Sequence, residues 1–165
     1  MVTDRNHGEW YIMNKIVSIF GSRESDKFMN SIEKRLNEQN ICSVLRQKLP
    51  SKVTEDELSN KGVLYASFEL INKSDVLIFI DGSSDKLLIE LGYAYAKNKY
   101  IIGIKDNLNN ISSNKCFILC DKYINRNPIY ILRHDSDAKI LDKYGYTALI
   151  ANEISEYLSE YFENE

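Results

Sequence analysis

A chain of 165 residues is the size of a single domain, long enough for one sheet with helices on both faces and a sizeable core. Its 21 basic and 24 acidic residues leave a net charge of -3, so it carries neither the electrostatic footprint of a nucleic-acid binder nor a polybasic patch for a membrane. Three cysteines, Cys42, Cys116 and Cys120, form no metal-ligand set, and two histidines, His7 and His134, leave few members for a zinc site or a Ser-His-Asp triad. A reduced, cytoplasmic protein without a metal or other cofactor is expected.

The chain opens with a polar stretch, Met1 to Ile12, broken by Trp10-Tyr11 and lacking the apolar core of a signal peptide; no later run is long enough to span a membrane. Residues 1–14 read as a loosely held arm and 15–165 as one domain. Lys15-Ile-Val-Ser-Ile-Phe20 is short, apolar and rich in β-branched residues, which predicts a buried first strand running into Gly21-Ser22-Arg23. From Glu24 to Glu38, Phe28, Met29, Ile32 and Leu36 recur at helical spacing, and Asn40 ends the pattern. Ile41 to Leu45 reads as strand two. Thr54-Glu-Asp-Glu57 has the capping signature of a helix running through Leu64, Phe68 and Leu70 to Asn72. Ser74-Asp75-Val-Leu-Ile-Phe-Ile-Asp81 is strand three, followed by a helix opening at Asp85, and Tyr100 to Ile104 is strand four.

Beyond it, Asp106 to Asn114 is too polar for core and reads as a loop able to close over a ligand. Cys116 to Cys120 fits a strand or a short helix, and Pro128 to Leu132 a strand entered by proline. Thr147 is placed as the cap of a last helix whose apolar face is Leu149, Ile150, Ile154, Leu158 and Tyr161. Strands alternating with helices imply parallel pairs with right-handed crossovers, hence a doubly wound, flavodoxin-like α/β sheet of about five strands in the order 2-1-3-4-5. Ligands of such sheets lie beyond the carboxyl ends of the strands where the order reverses, between strands one and three. The loops there are Gly21-Ser22-Arg23 and Asp81 to Asp85.

Gly21, Ser22 and Arg23 lie between a strand and a helix, so their N–H groups can face an anion with the helix dipole behind them and Arg23 can add a bidentate contact. The same residues also make a plain turn. No Gly-Lys-Ser/Thr follows and the three spaced glycines of a dinucleotide fingerprint are missing, so this is neither of those loops. Glu90 stands among Leu87, Leu88, Ile89, Leu91 and Ala94, downstream of Asp81 and Asp85. Half-buried there, it would be a positioned nucleophile; turned outward, an ordinary surface acid.

Glu90-Leu-Gly-Tyr-Ala-Tyr-Ala-Lys-Asn-Lys-Tyr-Ile-Ile102, preceded by Ser74-Asp-Val-Leu-Ile-Phe-Ile-Asp81, resembles the nucleoside 2-deoxyribosyltransferase family. Gly21-Ser22-Arg23 resembles the phosphate-holding loop of the related deoxynucleoside 5'-monophosphate N-glycosidases. The likeness spans about residues 15 to 105. It implies that Glu90 attacks the anomeric carbon, that Asp81 or Asp85 protonates the leaving base, that Gly21, Ser22, Arg23, Gly82 and Ser84 bind the nucleoside or nucleotide, and that a second copy of the chain completes the pocket in a homodimer or larger homo-oligomer. Where the family has Asp-x-Gly-Thr, this chain has Ser84 in place of the aspartate, Asp85 one residue later, and Lys86-Leu87 for Gly-Thr. Two other readings remain: a Toll/interleukin-receptor-like NAD glycohydrolase, which shares the sheet order and a catalytic glutamate, and a nucleotide-binding sensor without turnover.

Overall fold

The computed structural model describes residues 15–22, 26–48, 59–80, 85–105, 119–125 and 146–163. Five strands, β1 (Ile16–Phe20), β2 (Cys42–Leu45), β3 (Val76–Ile80), β4 (Tyr100–Lys105) and β5 (Lys122–Asn125), form one sheet in the order β2-β1-β3-β4-β5. Every neighbouring pair is parallel. This is the flavodoxin-like order expected from the alternation of elements, and it follows from the same cause: each parallel strand needs a crossover, and helices supply it.

Alternation along the strands divides the core between the two faces. Val17 and Ile19, then Val76, Ile78 and Ile80, then Ile102 and Ile104 point to one side, where they meet Met29, Ile32 and Leu36 of α1 (Asp26–Glu38) and Ile150, Ala151, Ile154 and Leu158 of α4 (Tyr146–Glu163). Phe20, Leu77, Phe79 and Ile101 point to the other, against Leu70 and Ile71 of α2 (Ser59–Lys73) and Leu87, Leu91 and Ala94 of α3 (Asp85–Ala96). Both faces of β3 are therefore dry, which is why its sequence is an unbroken apolar run rather than an alternating one. Helices α1 and α3 end alike. Asn40 (φ 63°) and Asn98 (φ 57°) take the left-handed conformation, and Ile41 N–H and Lys99 N–H reach back to the carbonyls of Leu36 and Ala94 at 3.0 and 3.1 Å.

Two expectations are corrected. The fifth strand is Lys122–Asn125, between the two segments proposed for it; Pro128 to Leu132 and most of Cys116 to Cys120 lie outside the described residues. It is an edge strand with Ile124 buried and Lys122 and Tyr123 partly open to solvent, so it lacks the apolar signature of the inner strands. Thr147 is buried inside the first turn of α4, which already includes Tyr146, and is not the residue that precedes the helix. The arm of residues 1–14, the Asp106 to Asn114 loop and the capping segment Thr54 to Glu57 lie outside the described residues. Among those described, no helix is long and apolar enough to cross a membrane.

Candidate functional site

The register pairs Ile19 with Leu45 and Phe20 with Phe79, so β1, β2 and β3 end within about one residue of each other, and Gly21 and Arg46 follow at the same edge of the sheet. Beneath this edge the Phe20 and Phe79 rings stack at 4.9 Å between centroids with 12° between planes, closing the α2–α3 side of the sheet. Gly21 and Ser22 are partly exposed. The glycine has a packing reason of its own: a Cβ there would stand 2.7 Å from Met29 Sδ and 3.4 Å from Ile80 Cβ, so a side chain at this position would have to displace the buried Met29 thioether. Its carbonyl accepts a hydrogen bond from Gln47 Nε2, which ties the loop to the 3-10 turn Arg46–Lys48 after β2.

Glu90 decides the character of the site. The buried stripe of α3 is Leu87, Glu90, Leu91 and Ala94, spaced i, i+3, i+4, i+7, so the glutamate occupies a position that the helix otherwise gives to its core. It is 3% exposed, and its Oε2 is buried without a hydrogen-bond partner. The surface-acid alternative is thereby removed. Burial pushes its carboxyl above the usual range; the Ser67 hydroxyl, the Lys86 ammonium and the Arg46 guanidinium each pull it back.

Arg46 and Ser67 were not singled out in the sequence. Arg46 is 4% exposed; its Nε donates to Ser67 Oγ at 2.7 Å and its Nη2 to the Val63 carbonyl at 2.8 Å. Burial lowers the guanidinium pKa and the Glu90 carboxylate opposes the change. Ser67, on the inner side of α2, is fully buried, and its hydroxyl also lies 3.1 Å from the Val63 carbonyl. That hydroxyl has one proton, and the Val63 carbonyl is an acceptor for it. A signal for both residues existed: Arg46 directly follows a predicted strand at the ligand-facing edge, and Ser67 interrupts a helix stripe that continues with Leu70 and Ile71.

Asp85 stands exposed at the first position of α3, where the helix dipole favours its charge. Arg23, Asp81, Gly82 and Ser84 lie outside the described residues. The structure thus brings Glu90, Ser67 and Arg46 together behind the edge on which Gly21 and Ser22 sit. Among the described residues, no group of three or more His, Cys, Asp or Glu side chains converges as a metal site.

No family model matches the chain, and no curated protein matches it. Solved structures do. The chain is similar to a CMP N-glycosidase of Clostridium botulinum, BcmB, at 19% identity and a TM-score of 0.51, over 68% of this chain and 90% of that one. A conserved protein of Enterococcus faecalis V583 is similar at 17% identity and a TM-score of 0.48, over 67% and 91% of the two chains. A flavoenzyme NAD(P)H:(acceptor) oxidoreductase of Paracoccus denitrificans, FerB, is similar at 17% identity and a TM-score of 0.49, over 91% and 98%. At these identities the likeness is one of fold, and the fold is shared with an N-glycosidase.

Proposed function

We propose that the chain cleaves the N-glycosidic bond of a nucleoside or nucleoside 5'-monophosphate, as a hydrolase or a deoxyribosyltransferase, with Glu90 as nucleophile. The observation that carries this reading is the Glu90 carboxylate, buried in a helix stripe meant for core residues, with one oxygen unpartnered, behind the strand ends where such sheets bind ligands. A protein tolerates an unsatisfied buried carboxylate at a cost in stability, and groups of this kind concentrate where chemistry is done.

In the proposed reaction a Glu90 oxygen bonds to the anomeric carbon as the carbon–nitrogen bond breaks. The bonding pair leaves with the base, which takes a proton from Asp81 or Asp85. Water, or the ring nitrogen of a second base, then attacks the same carbon and frees the carboxylate. Ser22 and Arg23, with Gly82 and Ser84, would hold the sugar and phosphate beside Gly21. The fold shared with a CMP N-glycosidase is consistent with this assignment. Homodimer formation is part of the proposal: α3 turns Leu88, Ile89 and Tyr95 outward, and Gly92 between them has nothing within 4 Å of its Cβ direction, so a second copy could approach closely there.

The test is incubation with a panel of ribo- and deoxyribonucleoside 5'-monophosphates, the free nucleosides and NAD, followed by chromatography for released base or nicotinamide. Base release that disappears in Glu90→Ala supports the proposal. Nicotinamide release alone would replace it with NAD hydrolysis, and tight binding without any release would replace it with a nucleotide sensor.

A further inference from the structure

Specifying the homodimer of the glycosidase reading, on which it rests, we infer that two copies of the chain pair through α3, antiparallel, about a two-fold axis passing beside Gly92.

The outward face of α3 is built unlike those of α1 and α4. The exposed positions of α1 are Lys27, Asn30, Lys34, Asn37 and Glu38, and those of α4, apart from Leu149, are Asn152, Glu153, Glu156, Glu160 and Glu163. On α3 they are, after Asp85, Leu88, Ile89, Gly92, Tyr95 and Ala96, none of them charged. Leu88, Ile89 and Tyr95 are 38%, 48% and 57% exposed, while Leu87, Leu91 and Ala94 fill the core on the other side. Helices that are apolar all round are normally covered all round.

The spacing of the stripe points to a second copy as the cover. Leu88 and Ile89 stand four and three residues before Gly92, Tyr95 and Ala96 three and four after it, so the stripe reads alike from either end. A two-fold axis at Gly92 then sets Leu88 against Ala96 of the second copy and Ile89 against Tyr95 of the second copy, the self-complementarity that an isologous interface requires. At the crossing, nothing lies within 4 Å of the Cβ direction of Gly92, so the backbones can approach closely. The charges set the direction. Asp85 lies seven residues before Gly92 and the exposed Lys97, its Nζ 5.5 Å from the Tyr93 ring centroid, five after it. In an antiparallel pair they come to the same level within about 3 Å along the axis, at both ends of the contact. A parallel pair would instead set Asp85 against Asp85 and align the two helix dipoles.

The experiment is disulfide trapping and light scattering on the full chain, without substrate. In a Cys42→Ser background, which removes the exposed native thiol, Gly92→Cys should cross-link to its own copy under mild oxidation, and Leu88→Cys, far from its own copy, should not. Asp85→Lys and Lys97→Glu should each weaken self-association on the order of tenfold, and mixing the two variants should restore it, because the heterodimer regains both contacts. Gly92→Leu should give a folded monomer, since its side chain enters open space in one copy and collides at the crossing. A monomeric wild type overturns the inference, and so does a dimer in which Gly92→Cys fails to cross-link or the mixed charge variants associate no better than either alone. A dimer trapped at Gly92 that releases no base from any substrate keeps the interface and removes the glycosidase reading; base release by a monomeric wild type does the reverse.

Discussion

The two ends of one sheet treat their carboxylates in opposite ways. At the amino ends of the strands, Asp75 and Asp121 each close a reciprocal pair with the neighbouring strand. The N–H of Asp75 donates to the Ile16 carbonyl at 2.9 Å while its Oδ2 accepts from the Ile16 N–H at 2.8 Å; Asp121 does the same with Ile101, at 2.8 Å both ways. Each acid supplies an acceptor to an N–H at the start of the neighbouring strand, the first residue of β1 and the second of β4. Beside Asp75 the Ser18 hydroxyl meets that of Ser74, which donates in turn to the Leu70 carbonyl at 2.5 Å, so the buried polar groups there form a closed chain. At the carboxyl end Glu90 is more deeply buried than either aspartate, yet keeps an oxygen without a partner. Acids that pin strand register are satisfied; the acid of the proposed site is not. The comparison separates two parts of a single sequence resemblance: Ser74-Asp75 before the strand has a structural reason, and Glu90 in its helix has none that packing supplies.

The largest expected effect breaks the comparison at its functional end. Glu90→Ala should lower base release by about a thousandfold or more, the usual consequence of losing a nucleophile, with the fold retained by circular dichroism. At the other end Asp75→Ala should leave the turnover of folded protein unchanged while lowering stability by up to about 3 kcal/mol in urea melts, since it leaves the Ile16 N–H unpaired. Should Asp75→Ala instead lower turnover in fully folded protein, the division between register acids and the reactive acid fails. Gly21→Ala is next, at about 2 kcal/mol, because its Cβ presses on a fully buried Met29. If packing is the whole reason for that glycine, Met29→Ala in the same chain should recover much of the loss in a double-mutant cycle, with the affinity for 5'-monophosphates restored alongside. Persistent loss of affinity in the double variant would show that the backbone at Gly21 serves the phosphate directly.

Much of this was legible in the sequence, and the exceptions have physical causes. Strands β1, β3 and β4 are buried on both faces or nearly so, and such strands announce themselves as apolar runs; β2, at the other edge, shows only the short apolar pair Val44-Leu45, and the helices announce themselves by spacing. Strand β5 does not, because an edge strand with one buried isoleucine has no run to show, and more apolar neighbours on either side draw attention away from it. Its better marker was Cys120-Asp121, which repeats the Ser74-Asp75 arrangement ahead of β3. Glu90 was singled out by resemblance, and its burial follows from its phase with Leu87, Leu91 and Ala94. Arg46 and Ser67 could not be found the same way. They sit in separate elements, and only the parallel pairing of β2 with β1 and the packing of α2 on α3 put them beside the glutamate.

The smallest effect tests the cost of keeping Glu90 ready. Burial holds its folded-state carboxyl above the ordinary range, so across the interval between its unfolded and folded titration points the folded chain binds more protons than the unfolded one. Stability therefore falls as pH rises through that interval and stays at its reduced level above it. Glu90→Gln keeps the shape of the side chain and removes the ionisation. It should be more stable than the wild type at neutral pH, seen as a higher midpoint in a thermal melt, and this advantage should shrink towards zero as pH is lowered below the ordinary glutamate range. The same substitution should abolish base release, so stability and activity would move in opposite directions at one atom. If Glu90→Gln is instead less stable than the wild type at neutral pH, the ionised carboxylate is already well satisfied in the resting protein, and the contrast between the two ends of the sheet disappears.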